Sequence, residues 1–266
     1  MVNHNCLGFS EEGPALRERR FAFLGLKFYN YTTAEAINII EQYIHTRRPH
    51  RLSTITAELA VRASQERSLR DFYNSSDLLT VDSYVVYYAA KFLGKPIKEP
   101  VNATRLFFEF LKIAETARYR LYLLGASEGV INKTVTMLKS RFPLINIVGW
   151  HNGYFDFNSD GKIVEEIKHS RPDVLFIAMS SPLKENFMAK YFANLGVPLF
   201  FPVGGCFDVI AGKCRLAPLW MSRLGLEWFY RFIQEPKRLW KRYLVINTKF
   251  FFLWLKEFVT NLLRTI

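Results

Sequence analysis

Two features of this chain carry residue types that could do chemistry: a single carboxylate and a pair of adjacent glycines. Asp82 directly follows the short apolar stretch 78–81, and Gly204 and Gly205 follow the apolar stretch 197–203. A carboxylate in such a place can act as an acid or a base, but Asp is also a favoured helix cap, and taken alone Asp82 favours the cap. Glycines let a bound anion approach the backbone N–H groups closely, although a lone pair also suits a plain tight turn. The glycine pair therefore indicates an anionic ligand, and the role of Asp82 stays open between the two.

Alternating hydrophobic periods show which elements must position these residues. Apolar runs of strand type alternate with stretches of helical spacing, and Thr32 with Glu35 has the form of a capping box. Parallel neighbours in a sheet need crossover helices, so six or more such units predict an α/β fold with a mostly parallel, Rossmann-like sheet and helices on both faces. The pattern predicts strands over 21–29, 51–56, 78–81, 120–124, 145–150, 174–179 and 197–203. It predicts helices after Thr32, over 58–73, 84–93, 104–116 and 162–169, before Pro143, and from Ser180 to Leu195 with Pro182 at the first helical position.

The candidate residues share one position in this plan, because each falls where a predicted strand ends. Ligands of open α/β sheets bind at the carboxyl ends of the strands. We therefore expect one cleft to be lined by Asp82, Gly125, the loop 151–154 with Gly153 and Tyr154, Ser180 with Ser181, and Gly204 with Gly205.

Charge and aromatic residues set the C-terminal part of the chain apart. The formal net charge of the 266 residues is +12, and more than half of this excess lies from residue 215 onwards, where ten Lys and Arg stand against three Glu. The apolar stretch 243–259 is interrupted by charges, which favours an amphipathic helix lying in a membrane interface over a spanning one. Ordinary helix packing explains the tryptophans of this stretch equally well. The expected division is an N-terminal flexible segment 1–20, an α/β catalytic domain 21–215 and a membrane-associating helical appendage 216–266.

Several classes of protein are disfavoured by the composition. The N-terminus has no apolar run of signal-peptide type, and no window reaches the roughly 18 to 20 apolar residues of a spanning helix, so we expect a cytosolic protein. The three cysteines lack zinc-ligand spacing, and no metal site is expected. The positive charge would suit nucleic acid, but no helix-turn-helix, zinc-finger or RNP pattern is present, so no nucleic-acid partner is expected. A membrane-bound partner protein without enzymatic activity stays open.

The chain resembles the WecG/TagA/CpsF glycosyltransferases of bacterial cell-surface polysaccharide and teichoic acid synthesis. The resemblance extends from about Phe23 to Tyr243. Weaker parts are Gly149 with Gly153-Tyr154-Phe155, Pro182 with Glu185, and Val81-Asp82-Ser83. The most specific parts are Gly204-Gly205-Cys206-Phe207-Asp208, Ala217-Pro218, 225–231 (GLEWFYR) and 235–243 (EPKRLWKRY).

This resemblance implies an inverting, metal-independent hexosyltransferase that moves a sugar from a UDP-sugar to a polyprenyl-diphosphate-linked sugar. The UDP-sugar is a substrate, and no cofactor is implied. The resemblance places Asp82 at the position of the general base and reverses the preference for a cap. It also implies work at the inner face of the plasma membrane, attraction to an anionic membrane surface, and a homo-oligomer of unspecified size. The residues expected to hold the donor are Thr56, Gly125, Gly149, Gly153, Tyr154, Ser180, Glu185, Gly204, Gly205, Phe207 and Asp208, and those expected to hold the acceptor or its diphosphate are Arg215, Arg231, Arg238 and Arg242.

Some positions depart from the family pattern. The segment 177–185 carries Ala178 and Ser180 where glycines are usual and Lys184 where Gln is usual, and Thr56 replaces the Asn of a Thr-x-Asn motif. Because contacts in a sugar pocket set large discrimination factors, these changes affect the expected identity of the donor first. They also leave open a catalytically inactive scaffold of a polysaccharide assembly complex.

Overall fold

A six-stranded parallel sheet forms the centre of the structure, a computed structural model that describes residues 20–156 and 161–265. Its strands are β3 (His50–Ile55), β4 (Leu78–Val81), β5 (Arg120–Gly125), β6 (Asn146–His151), β7 (Val174–Ala178) and β8 (Leu199–Pro202), and a separate antiparallel pair is formed by β1 (Arg20–Phe23) and β2 (Leu26–Tyr29). The large sheet has the order β4-β3-β8-β7-β5-β6, with every neighbouring pair parallel. This arrangement confirms the predicted α/β, Rossmann-like class.

Helices connect these strands and extend beyond the last one. Those up to the last strand are α1 (Thr33–Thr46), α2 (Ala57–Gln65), α3 (Arg67–Asn74), α4 (Tyr84–Phe92), α5 (Ala103–Thr116), α6 (Glu128–Arg141), α7 (Gly161–Ser170) and α8 (Leu183–Tyr191). After β8 follow α9 (Cys206–Ile210), α10 (Leu219–Arg223), α11 (Glu227–Gln234) and α12 (Pro236–Thr265).

The two faces of the sheet bury different helices because side chains alternate along each strand. On β5, Leu121 and Leu123 pack with α1, α5 and α6, whereas Tyr122 and Leu124 pack with α7 and α8. A third apolar cluster joins the β1–β2 pair to α2, α3 and α4 at the β4 edge, and Phe250 of α12 is buried in it. The sheet edge that ends at Asp82 is therefore enclosed by the hairpin, three helices and the C-terminal helix.

The predicted first strand differs from the observed structure. Residues 20–29 form a tight hairpin in which Leu24 and Gly25 have φ values of 53° and 77°. Two consecutive positive φ angles make the turn that matches the twist of a two-stranded ribbon. Leucine seldom adopts this conformation, and so the sequence signal for the turn is weak.

Two helix boundaries also differ from the prediction. The helix expected over 58–73 is interrupted at Glu66, whose backbone is extended, and the break re-aims α3 so that Leu69 and Tyr73 are buried. Pro182 precedes the first helical residue of α8 rather than being that residue, and it follows a cis peptide bond from Ser181.

The C-terminal helices pack against the α/β unit through α2 and α4. Trp254 donates its indole N–H to the carbonyl of Ala89 at 3.1 Å, and Tyr88 donates its hydroxyl to the carbonyl of Arg223 at 2.7 Å. Gly225 lies against Val85 so closely that an added Cβ would stand 3.3 Å from the valine side chain. These contacts hold α10, α11 and α12 beside the helix that begins just after Asp82.

Two further sequence predictions concern the N-terminal segment and membrane-spanning helices. The flexible segment predicted for residues 1–20 lies outside the described residues except for Arg20. Among the helices described, none has both the length and the apolar character to cross a membrane.

Candidate active site

Asp82 stands at the carboxyl end of β4, at the edge of the sheet. Its backbone N–H donates to the carbonyl of Ile55 at 3.0 Å, which extends the β3–β4 ladder by one residue and fixes where the side chain starts. Its Oδ1 accepts a hydrogen bond from the backbone N–H of Ala103 at 2.6 Å. Asp82 therefore contacts the start of α5, not the start of α4 that a local cap would serve.

The environment of Asp82 shifts the pKa of its carboxyl group upward. Burial raises the pKa of Asp82, while the bond from Ala103 and the positive charges of Lys184 and Arg231 oppose this shift. Within residues 20–156 and 161–265, Oδ2 has no hydrogen-bond partner, and the residue is partly accessible to solvent. A carboxylate with a raised pKa and one free oxygen is equipped to take a proton from a hydroxyl.

Arg231 of α11 connects Asp82 with the glycine pair. An added Cβ at Gly205 would stand 2.9 Å from Nη2 of Arg231, so the guanidinium lies directly against that glycine. Arg231 also acts electrostatically on Asp82 and on Glu227. The C-terminal helices therefore place a cation against the glycines at the end of β8 and near enough to the carboxylate at the end of β4 to act on it.

Glu227 is a second acid at this place that the sequence reasoning did not assign to the site. Burial raises the pKa of Glu227, and the negative charge of Asp82 adds to the shift. The sequence does contain a signal for this role: Glu227 stands four residues before Arg231 in the 225–231 motif, and residues at this spacing share a helix face.

A buried polar cluster lies at the start of α8. Glu185 is 3% exposed, accepts a hydrogen bond from the Tyr73 hydroxyl at 2.6 Å, and pairs with Nζ of Lys184 at 3.2 Å. Arg62 donates to Oγ of Ser181 at 2.8 Å. The second oxygen of Glu185, Oε2, is buried and unpartnered in the described part of the chain. A buried carboxylate oxygen without a hydrogen bond lowers the stability of the fold. Oε2 is therefore suited to accept a hydrogen bond from an N–H or O–H of a ligand.

The predicted donor glycines of β5 and β6 have close packing roles. An added Cβ at Gly125 would stand 2.4 Å from the carbonyl oxygen of Ala178, and one at Gly153 would stand 2.9 Å from Cα of Gly125. At Gly149 it would meet the ring of Tyr122 at 2.5 Å. These glycines let the strand ends approach each other, which is sufficient reason for their presence.

The other predicted donor residues fall into different surroundings. Thr56 caps α2 through a bond from the Leu59 N–H at 3.3 Å, and Phe207 is fully buried in the core. Asp208 pairs with Lys213 at 3.3 Å. Ser180 is exposed, and Tyr154 is 82% exposed, so both could meet a ligand at the surface.

The four arginines predicted to hold the acceptor do not form one group. Arg231 lies at the glycine pair, whereas Arg242 is paired with Glu58 of α2. Arg215 is exposed, and its backbone is bonded on both sides to the Gln234 side chain at 3.0 and 3.1 Å. The side chain of Arg238 lies outside the described residues.

The His, Cys, Asp and Glu side chains of the described residues form no cluster of three or more that could hold a metal ion. The positive charges at the site come from Arg231 and Lys184. An open parallel sheet with a partly buried carboxylate, a cation and a glycine pair at its carboxyl edge is an arrangement that suits an α/β group-transfer enzyme, because it can pair a base with an anion site.

Comparison with known proteins gives this class a family. The sequence model described as the glycosyl transferase WecG/TagA/CpsF family matches residues 21–263, so the chain belongs to this family. This confirms the resemblance found in the motifs and the expected class of enzyme, a hexosyltransferase.

Three relatives of this chain have the same enzyme name. The chain is 31% identical to the N-acetylglucosaminyldiphosphoundecaprenol N-acetyl-beta-D-mannosaminyltransferase of Bacillus subtilis (strain 168) over 222 residues. These aligned residues make up 83% of this chain and 86% of the relative. The enzyme of the same name from Bacillus spizizenii is 32% identical over 73% of this chain and 74% of its own length. That of Staphylococcus aureus (strain MW2) is 28% identical over 81% and 85%.

Proposed function

We propose that this chain transfers a hexose-type sugar from a UDP-sugar to a polyprenyl-diphosphate-linked sugar in bacterial cell-surface polysaccharide synthesis, with inversion and without a metal ion. The observation that carries the proposal is the position of Arg231 against Gly205, from which it also acts electrostatically on Asp82. The relatives act on N-acetylglucosaminyl-diphosphoundecaprenol, which makes this acceptor the first to test.

In the proposed reaction Asp82 takes the proton of an acceptor hydroxyl as its oxygen attacks the anomeric carbon of the donor. The bond between that carbon and the diphosphate breaks at the same step, and UDP leaves with the electron pair. A single displacement inverts the anomeric centre. Arg231 and the backbone N–H groups at Gly204 and Gly205 would meet the charge that develops on the leaving oxygen.

The donor sugar is proposed to be an N-acetylmannosamine-type residue, with another hexose or a uronic acid as the alternative. Glu185 Oε2 lacks a hydrogen-bond donor within the described residues, and a sugar O–H or N–H would satisfy it. Lys184, beside it, has two further N–H groups for an oxygen of the donor.

We also propose that α12 holds the enzyme on the inner, anionic face of the plasma membrane, where the acceptor lies. The helix buries Phe250 against the α/β unit and exposes an apolar stripe elsewhere on its surface. Residues at helical spacing in a large exposed apolar patch, flanked by basic residues, suit the interface of an anionic bilayer. The stripe consists of Leu244, Phe251, Phe252, Leu255, Val259, Leu262 and Leu263.

The test uses the full chain, a panel of UDP-sugars and N-acetylglucosaminyl-diphosphoprenol, with UDP release and product mass as readouts. Asp82→Asn should reduce transfer by several orders of magnitude, while Asp71→Asn on the exposed surface of α3 should leave it unchanged. EDTA should have no effect. Absence of transfer with every donor would refute the proposal in favour of the inactive scaffold.

The membrane part needs its own measurement. Phe252→Ser with Leu263→Ser should reduce co-sedimentation with phosphatidylglycerol vesicles, because it removes two residues of the exposed stripe. Equal sedimentation of the variant and the unaltered chain would refute membrane binding through α12.

A further inference from the structure

An apolar cavity of about 260 Å³ lies between α4 and the C-terminal helices. Val85 and Ala89 of α4 form one wall, and Trp228 of α11 with Phe250 and Trp254 of α12 forms the other. The lining is mostly apolar, although it also includes Asn247, so burial of a hydrocarbon group there would remove apolar surface from water. The cavity is therefore suited to an apolar ligand.

The cavity begins next to the candidate active site. Val85 follows Asp82 by three residues at the start of α4, and Trp228 precedes Arg231 by three residues on α11. On α11 this spacing makes Trp228 and Arg231 neighbours on the helix surface, and Asp82 directly precedes Ser83, the N-cap of α4. A ligand with its anionic group at Arg231 would have the mouth of an apolar cavity within one helical turn.

The other side of the cavity leads to the surface of the molecule. Phe251, which also lines the cavity, is 52% exposed and belongs to the apolar stripe of α12. Trp254 contacts Phe92, an exposed residue at the end of α4, with ring centroids 5.4 Å apart. Apolar side chains thus connect the cavity to the surface proposed to face the membrane.

We propose that this cavity binds the first isoprene units of the acceptor's polyprenyl chain. The inference rests on the proposed function, because it takes the acceptor to be a prenyl diphosphate. In such a molecule the chain is bonded directly to the diphosphate, so a diphosphate held at Arg231 delivers its first apolar carbons to Trp228 and Val85, which stand on the two walls of the cavity. The cavity would orient the acceptor hydroxyl toward Asp82 while the rest of the chain continues into the bilayer.

The test compares the dissociation constants of farnesyl diphosphate and inorganic diphosphate with the full chain, measured by calorimetry. We expect farnesyl diphosphate to bind at least tenfold more tightly, because several buried methylene groups each contribute. Asn247→Phe and Ala89→Leu, which add bulk to the lining from two different helices, should abolish this preference and leave the affinity for inorganic diphosphate unchanged. The matched control is Thr248→Phe, at an exposed position next to Asn247, and it should retain the preference.

A second measurement needs no substitution. Farnesyl diphosphate with a photoreactive group on its first isoprene unit should crosslink to residues of α4, α11 or α12 that line the cavity. Crosslinks elsewhere, or a preference that persists in both filled variants, would overturn the inference.

Failure of the proposed function gives a different result. Tight, cavity-dependent binding of farnesyl diphosphate without sugar transfer from any donor would refute the transferase and support the cavity. Transfer with a prenyl preference that survives Asn247→Phe and Ala89→Leu would refute the cavity and support the transferase.

Discussion

Substituting alanine for Gly205 should separate the position of Arg231 from the stability of the fold. Gly205 has φ −84° and ψ 14°, which alanine adopts without strain. The new Cβ would stand 2.9 Å from Nη2 of Arg231, whereas ordinary contact begins at 3.4 Å, so the guanidinium must move by about 0.5 Å. Because a misplacement of 1 Å can cost about a hundredfold in rate, we expect roughly a tenfold loss of sugar transfer.

The same substitution should not destabilise the protein. Gly→Ala at a compatible backbone position adds about 0.4–1 kcal/mol to the free energy of unfolding. Gly204→Ala provides the contrast, since Gly204 has φ +53° and open space around it, and strain there should lower stability by about 1–2 kcal/mol. Gly129→Ala, at an exposed position with open space on α6, should slightly raise stability and leave the transfer rate unchanged.

The assay is UDP release with saturating donor and acceptor, together with urea unfolding of each variant. In the background of Arg231→Gln, Gly205→Ala should cause no further loss, because residues acting through one contact are not additive. A Gly205→Ala variant with the rate of the unaltered chain would refute the reasoning that Arg231 at this glycine meets the charge of the leaving group.

Four further perturbations test other parts of the site. In a plot of kcat/KM against pH, the activity should fall on the acidic side at a pH above the ordinary pKa range of aspartate, because burial raises the pKa of Asp82 and only the deprotonated form accepts a proton. Arg231→Gln should move this fall to still higher pH, because it removes a positive charge that lowers the pKa. A fall at the ordinary pKa of aspartate would contradict the prediction. Tyr73→Phe should lower the free energy of unfolding by about 1–3 kcal/mol in urea, since Glu185 loses a buried donor, whereas Tyr154→Phe on the surface should not. Phe207→Ala should cost about 3–5 kcal/mol of stability in the same experiment, and a loss of donor affinity alone would instead support a ligand contact. Arg242→Gln should cost at most about 1 kcal/mol and reduce transfer far less than Arg231→Gln, because Arg242 is engaged with Glu58 on the surface.

Local patterns were sufficient to predict the sheet and the strand ends. Alternation of strands and helices requires parallel pairing, and residues that directly follow an apolar run must lie at its carboxyl edge. The locations of Asp82 at the end of β4 and of Gly204 after β8 follow from this alone. The order of the strands does not, because β4 and β5 are successive in the chain but are separated in the sheet by β3, β8 and β7.

Contacts between distant segments carry no comparable signal. The hydroxyl of Tyr73 reaches Glu185 only because α3 is re-aimed at Glu66, and nothing near Tyr73 in the sequence indicates this. Likewise, the motif that contains Arg231 does not indicate which arginine of the C-terminal helices lies against the glycines. Packing of α12 on α2 shows only that Arg242 is directed to Glu58 instead.

In the proposed reaction, the short helix α11 would link the chemistry of the site to the binding of the lipid acceptor. It carries Glu227 and Arg231 toward Asp82 and Trp228 toward the apolar cavity. The helix is held against α4 by contacts of its neighbours, the packing of Gly225 on Val85 and the bond from Trp254 to Ala89. Any change that loosens these contacts should therefore move the cation away from the base. An acceptor chain seated between α4 and α12 would have the opposite effect, because it fills the space between the helices that carry the two halves of the site.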